Sequence, residues 1–105
     1  MITFQDFQKV EMKVGKIKSA KPIEGATKLL LLDVDIGAEV RKLVAGIADA
    51  YKPDELVGKS IVVVVNLEPK KLRGVESQGM LLAADAEKPV LLTVDKDVPP
   101  GTPVR

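Results

Sequence analysis

The stretch SIVVVVNLEPKKLRGVESQGMLLAAD, residues 60–85, decides which fold this chain can adopt. It begins with five consecutive β-branched residues, Ile61 to Val65, and such a run predicts a buried strand, here from Ser60 to Leu67. Residues 68–78 are polar and basic and contain Pro69 and Gly74, a composition that predicts a loop. Residues 79–85 are apolar again and predict the next strand. Two short strands around one loop are typical of an antiparallel β-protein.

The segments on either side of this stretch are also short. Apolar residues alternate with polar ones at 10–14 and 33–36, while 29–32 is continuously apolar. The predicted elements before the stretch are a helix capped by Thr3, a strand from Val10 through Ile17 with a bulge or sharp bend at Gly15, a loop over 22–27, strands over 29–35 and 40–47, and a short helix begun by Pro53. After it come a strand over 90–94 and a Pro-rich tail. Short strands with one helix between the third and fourth predict a small antiparallel barrel, and the oligonucleotide/oligosaccharide-binding (OB) barrel has this order. From the pattern alone, a small sandwich is the alternative.

The composition limits the classes of function. The chain has 105 residues, 46% of them hydrophobic and 30% charged, with a formal net charge of +1, which supports one packed domain over 1–105 and excludes global disorder. It has no Cys and no His, so disulfides, zinc sites with those ligands and a Ser-His-Asp triad are excluded. No apolar run approaches the ~18 residues that span a membrane, and no signal peptide opens the chain. The expected compartment is therefore the cytoplasm.

The loop between the last two long strands has the composition of a nucleic-acid contact. Lysine and arginine neutralise phosphates, while Asn, Ser and Gln side chains reach sugars and base edges. The residues of these types in the loop are Asn66, Lys70, Lys71, Arg73, Ser77 and Gln78. In an OB barrel the loop between strands 4 and 5 borders the ligand face. The alternative is a solvated hairpin loop with scattered charges.

Other residues indicate little chemistry by themselves. Asp33 and Asp35 are two residues apart on a predicted strand, and a solvated strand face explains them. No Walker motif or dinucleotide-binding fingerprint is present, so an enzyme is not predicted. Taken alone, Lys28 is a surface lysine, and Met80 is a core methionine or an apolar contact for a flipped base. Aromatic residues make up 3% of the chain, too few for the stacking platforms of single-strand binders.

Five segments together resemble one known family. They are FQKVEMKVGKI (7–17), GATKLLLLDVDIG (25–37), LVAGIADAY (43–51), ELVGKSIVVV (55–64) and VNLEPKKLRGVESQGMLLAA (65–84). The chain resembles, from about Thr3 to Arg105, the C-terminal tRNA-binding domain family of methionyl-tRNA synthetase. Because no catalytic domain is attached, the chain is most similar to a free-standing beta subunit of that enzyme.

The resemblance implies an all-β fold, a five-stranded OB barrel with short helices, and a homodimer formed through a C-terminal extension at about 85–105. It implies no cofactor, no metal and no catalytic residue. Family members bind tRNA by its shape, which agrees with the scarcity of aromatic residues. The family's recurrent positions match here at Lys28, Asn66, Arg73, Ser77 and Met80, and Lys70 and Lys71 are added as tRNA contacts because of their charge and position in the loop.

One segment departs from the family pattern, and one functional alternative stays open. Many relatives have a stretch like His-Pro-Asn-Ala before Lys28, where this chain has PIEGAT at 22–27, so side-chain contacts from this loop are in doubt. The expected function is tRNA binding that assists a methionyl-tRNA synthetase catalytic subunit in trans. The alternative is a peptide-binding chaperone of the same fold. The basic loop favours tRNA.

Overall fold

The structure, a computed structural model, describes residues 1–105 and is all-β with two short helices. The elements are α1 Phe4–Gln8, β1 Met12–Ile23, β2 Ala26–Asp35, β3 Val40–Ala45, α2 Pro53–Leu56, β4 Ser60–Val64, β5 Lys70–Leu72, β6 Val75–Ser77, β7 Met80–Leu81, β8 Ala83–Asp85, β9 Pro89–Leu91 and β10 Pro103–Val104. The predicted all-β class and both short helices are confirmed. No helix is long and apolar enough to cross a membrane.

The main sheet is antiparallel and places its strands in the order β3-β2-β1-β4-β7, with β10 also paired to β1. Two further hairpins, β5–β6 and β8–β9, stand outside this sheet. The backbone ladder is open between β3 and β7. The helix α2 lies between the third and fourth strands, as predicted, and closes one end of the core with Leu56, which is fully buried.

Alternation along the strands builds the hydrophobic core. On β2, Leu30, Leu32 and Val34 are buried while the residues between them are half-buried, because successive side chains of a strand point to opposite faces. The β-branched run contributes Ile61 and Val63, which are also fully buried. The interior is therefore filled by the inward-facing apolar residues of these strands.

Two details of the β1–β2 hairpin differ from the prediction. Gly15 pairs regularly with Ile61, and the register shift between β1 and β2 falls after Ile17 instead. A Cβ at Gly15 would lie 2.6 Å from Cγ1 of Val34, so glycine is needed there for close packing and not for a bulge. The predicted loop over 22–27 is a tight turn, since β1 runs to Ile23 and β2 begins at Ala26.

The C-terminal segment is attached to the sheet. The predicted strands over 79–85 and 90–94 are shorter, and part of them forms the β8–β9 hairpin. The tail returns to β1, where Val14 donates its N–H to the Thr102 carbonyl at 2.9 Å and accepts from Gly101 N at 2.7 Å. The tail thereby covers part of the edge of β1.

Candidate nucleic-acid interface

The segment between β4 and β7 folds as a small hairpin, which we call the basic hairpin (residues 70–77). Its strands pair Lys70 with Ser77, Lys71 with Glu76 and Leu72 with Val75. The two turn residues, Arg73 and Gly74, have φ angles of +53° and +78°, as a two-residue turn of type I′ requires. The predicted polar loop over 68–78 is thus wrong in detail, because it contains a short β-ladder with Arg73 at its tip.

The cations of the basic hairpin are exposed and unpaired. Lys70, Lys71 and Arg73 are all solvent-exposed, and the three ion pairs in the structure are Lys9–Asp6, Arg41–Glu39 and Lys42–Asp33. No carboxylate therefore lies within 4 Å of these hairpin cations. Exposed cations without a carboxylate partner are free to neutralise phosphates.

Ser77 and Gln78 join the base of the basic hairpin to β3. The Ser77 hydroxyl accepts from Val44 N at 3.0 Å and donates to the Gly79 carbonyl at 3.1 Å. Gln78 Oε1 accepts from Lys42 N at 3.1 Å, and Gln78 N donates to the Lys42 carbonyl at 2.8 Å. Ser77 is 5% exposed, so its hydroxyl is engaged inside the protein. These bonds join β3 to the β7 side where the backbone ladder is missing.

Asn66 holds the other end of the same segment. Its side-chain oxygen accepts from Glu11 N at 2.9 Å, and its amide nitrogen donates to the Lys9 carbonyl at 2.7 Å. The residue itself is exposed. Asn66 therefore fixes the start of the loop to the chain just before β1, as Ser77 fixes its end to β3.

Met80 lies on β7, which follows the hairpin, and Lys28 lies on β2, which is separated from the hairpin by β3. Met80 begins β7 and is 51% exposed, so it does not belong to the core, which was one of the two interpretations. Lys28 is exposed on β2, three residues before Leu31, the partner of Val44. That spacing places it about 10 Å along the strand from the site where Ser77 is bound. Six of the seven predicted residues thus belong to the segment 66–80, and Lys28 lies on β2, beyond β3.

A polar cluster on the outer face of β1, β2 and β3 was not predicted. Asp33 accepts hydrogen bonds from Lys42 Nζ at 2.9 Å and from Ser19 Oγ at 2.8 Å. The Lys42 ammonium first, and then the Ser19 hydroxyl, hold the pKa of Asp33 below its ordinary value of 3.8. Asp33, expected to be merely solvated, instead links three strands beside the hairpin base.

Arg41 was also missed. Its guanidinium donates to the carbonyls of Val65 and Gln78, which are 24 and 37 residues away in the chain. No local sequence signal indicates partners at such separations.

Several known proteins are similar to this chain in sequence and in fold. A family model described as "Putative tRNA binding domain" matches residues 12–103. The methionine–tRNA ligase of Pyrococcus horikoshii is 55% identical over 105 residues, which are 99% of this chain and 14% of that enzyme. The crystal structure of a MetRS related protein from Pyrococcus horikoshii has a TM-score of 0.94 at 48% identity, covering 100% of this chain and 98% of the other. The CsaA chaperone protein from Picrophilus torridus has a TM-score of 0.93 at 34% identity, with both chains covered fully.

Proposed function

Since the chain belongs to the tRNA-binding domain family, we propose that it is a tRNA-binding module built on a five-stranded OB barrel, with the basic hairpin as its main contact. One observation carries the proposal of this contact. Three exposed cations with no carboxylate partner lie on a hairpin whose base is hydrogen-bonded to β3. We assign the chain no catalytic step.

The proposal gives the predicted residues two kinds of role. Lys28, Lys70, Lys71 and Arg73 contact phosphates, and Met80 offers an apolar contact beside them. Asn66 and Ser77 act mainly by holding the segment, because their side chains already bond to the chain before β1 and to β3. Contacts of both kinds belong to one site: cations attract the RNA backbone, and the fixed hairpin sets where they meet it.

Recognition of tRNA shape is supported by where the aromatic residues lie. Phe4 and Phe7 are in α1, and the Tyr51 hydroxyl accepts a hydrogen bond from Leu91 N at 3.1 Å. None of them belongs to the basic hairpin. Sequence-independent binding of single strands depends on bases stacked on aromatic rings, so a folded RNA with closely spaced phosphates is the better ligand.

We expect several different tRNAs to bind with similar affinity, and an unstructured oligonucleotide of equal length to bind at least 10-fold more weakly. The reason is that phosphate contacts from a rigid hairpin depend on the spacing of phosphates in folded RNA. Filter retention at a single salt concentration measures the affinity of the tRNAs and that of the unstructured oligonucleotide. Equal retention of the unstructured strand would contradict the proposal.

The chain spans 14% of the Pyrococcus ligase to which it is similar, and we propose that it acts in trans on a methionyl-tRNA synthetase catalytic subunit. A bound module raises the local concentration of tRNA near its partner without chemistry of its own. Size-exclusion chromatography with tRNA, and then with the cognate synthetase, tests this association. The cytoplasmic location stays a prediction.

A peptide-binding chaperone is the second candidate, and the similarity to the CsaA chaperone protein favours it. The unpaired cations of the basic hairpin favour tRNA instead, since unfolded segments are recognised mainly through apolar surface. Suppression of aggregation of an unfolded protein, measured with and without tRNA, separates the two. Suppression that tRNA does not compete away would support the chaperone.

We also propose a homodimer formed through residues 85–105. Val90 is 51% exposed and Leu92 is 43% exposed, while Leu91 between them packs against the core and is bonded to Tyr51. Apolar side chains left on an anchored hairpin are suited to burial against a second copy. Deletion of 90–105 would also remove Leu91 and β10 from the domain, so it cannot separate dimerisation from folding.

Replacement of Val90 by Lys is therefore expected to give a folded monomer. Burying the lysine charge in an apolar interface would cost free energy of association. In the isolated subunit position 90 is exposed, so the lysine side chain stays in water and the fold is unaffected. Static light scattering reports the mass and circular dichroism the melting temperature. Val57→Lys is the matched control, because Val57 is 54% exposed and lies outside the extension. An intact dimer with Lys at position 90 would show that the contact lies elsewhere.

A further inference from the structure

Arg41 connects the two ends of the segment that carries the basic hairpin. One guanidinium nitrogen donates to the carbonyl of Val65, just before Asn66, and at 3.3 Å to the carbonyl of Gln78, just after Ser77. Its Nε pairs with Glu39 Oε1 at 2.5 Å. The Arg41 side chain is 25% exposed, so most of it lies within the protein.

This position matters because few backbone bonds hold the segment. Strand β4 ends at Val64 and strand β7 begins at Met80. Strand β3 has no backbone ladder to β7. The gap is bridged by one backbone bond, from Gln78 N to the Lys42 carbonyl, and by side-chain hydrogen bonds. Among these side chains, Arg41 is the one that hydrogen-bonds to both ends of the segment. A guanidinium has five N–H donors in a planar fork and can serve two carbonyls and one carboxylate together, whereas an ammonium is a point charge without that fork.

We propose that Arg41 is a positioning residue for tRNA binding: it holds together Val65 and Gln78, the two ends of the segment that carries the basic hairpin, and so orients the hairpin cations towards the RNA. The role rests on the proposed function. Arg73 lies at the tip, about 10 Å from Lys70 at the hairpin base at the rise of a strand, so a change of angle at the base displaces it. Glu39 already neutralises the Arg41 charge, which makes Arg41 itself a poor phosphate contact.

The test compares Arg41→Met, which keeps the aliphatic stem but removes the donors, with Arg41→Lys and with Glu39→Gln. The last variant is the control, because it loses the ion pair and keeps both bonds to carbonyls. Three quantities are measured: tRNA affinity by filter retention, its dependence on salt concentration, and amide hydrogen exchange of residues 70–77. We expect Arg41→Met to lower affinity about 10-fold, speed exchange in the basic hairpin and leave the salt slope unchanged. Arg41→Lys should recover only part of the affinity, and Glu39→Gln should stay near wild type.

Three results would overturn this role. A salt slope lowered by about 0.7–0.9 with unchanged exchange would make Arg41 a phosphate contact. Unchanged affinity despite faster exchange would show that hairpin orientation does not matter for binding. Unfolding of both Arg41 variants in circular dichroism would make Arg41 a residue required for folding. If the wild-type chain does not bind tRNA, the proposed function fails and this role fails with it. Faster exchange in Arg41→Met would even then establish that the Arg41 bonds to Val65 and Gln78 hold the basic hairpin in place.

Discussion

Replacement of Arg73 by Ala is expected to lower the affinity for tRNA by roughly 10- to 100-fold, the range for losing a charge-assisted hydrogen bond. Arg73 stands at the tip of the basic hairpin with no carboxylate within 4 Å, and its planar fork can hold a phosphate with two parallel bonds. Losing one phosphate contact should also lower the slope of log K against log salt concentration by about 0.7–0.9. Arg73→Lys should restore the slope and only part of the affinity.

The control for the charge is Lys88→Ala, which removes one exposed cation between β8 and β9. It should leave affinity within about twofold. Alanine at position 73 faces the same φ of +53° as arginine, so the turn is not the cause of any loss, and circular dichroism melting checks this. Unchanged affinity in Arg73→Ala, or a loss that follows a loss of folding, would remove Arg73 from the site.

Replacement of Gly79 by Ala is expected to lower the free energy of unfolding by about 3 kcal/mol, since it combines backbone strain with overpacking. Gly79 has a φ of +154°, and a Cβ there would lie 3.0 Å from both the Val64 carbonyl oxygen and Leu43 Cδ2. Leu43 is buried, so the neighbours have no free space to move into. Thermal unfolding should show a melting temperature lowered by roughly 10–20 °C.

Gly58→Ala is the matched control for this variant. Gly58 has a φ of +89°, and no heavy atom lies within 4 Å of a Cβ built there. Only the strain of a left-handed residue applies, about 1–2 kcal/mol. If the two variants lose equal stability, the close approach at Gly79 contributes nothing, and the seam between β3 and β7 tolerates a methyl group.

The basic hairpin shows how far its sequence alone could be interpreted. Pro69, Gly74 and the concentration of charge indicated a functional loop, and Lys70, Lys71 and Arg73 are exposed in it. The hairpin inside it was not predicted, because the turn places an arginine at positive φ, where Asn or Gly is usual. Ser77 was predicted as a ligand contact, yet its hydroxyl is bonded to Val44 and Gly79, a fact that composition does not reveal.

By itself, the sequence determined the all-β class, both helices and the buried strands that supply part of the core. Those features depend on neighbours in the chain: the run Ile61–Val65, the alternation of Leu30, Leu32 and Val34, and Pro53 at a helix start act through spacings of a few residues. Only the tertiary structure decided that Arg41 bridges Val65 and Gln78, that Asp33 links three strands, and that Gly15 is required by Val34. Each of these contacts joins residues far apart in the chain, and their distances are set by the register and curvature of the whole sheet, which no local pattern specifies.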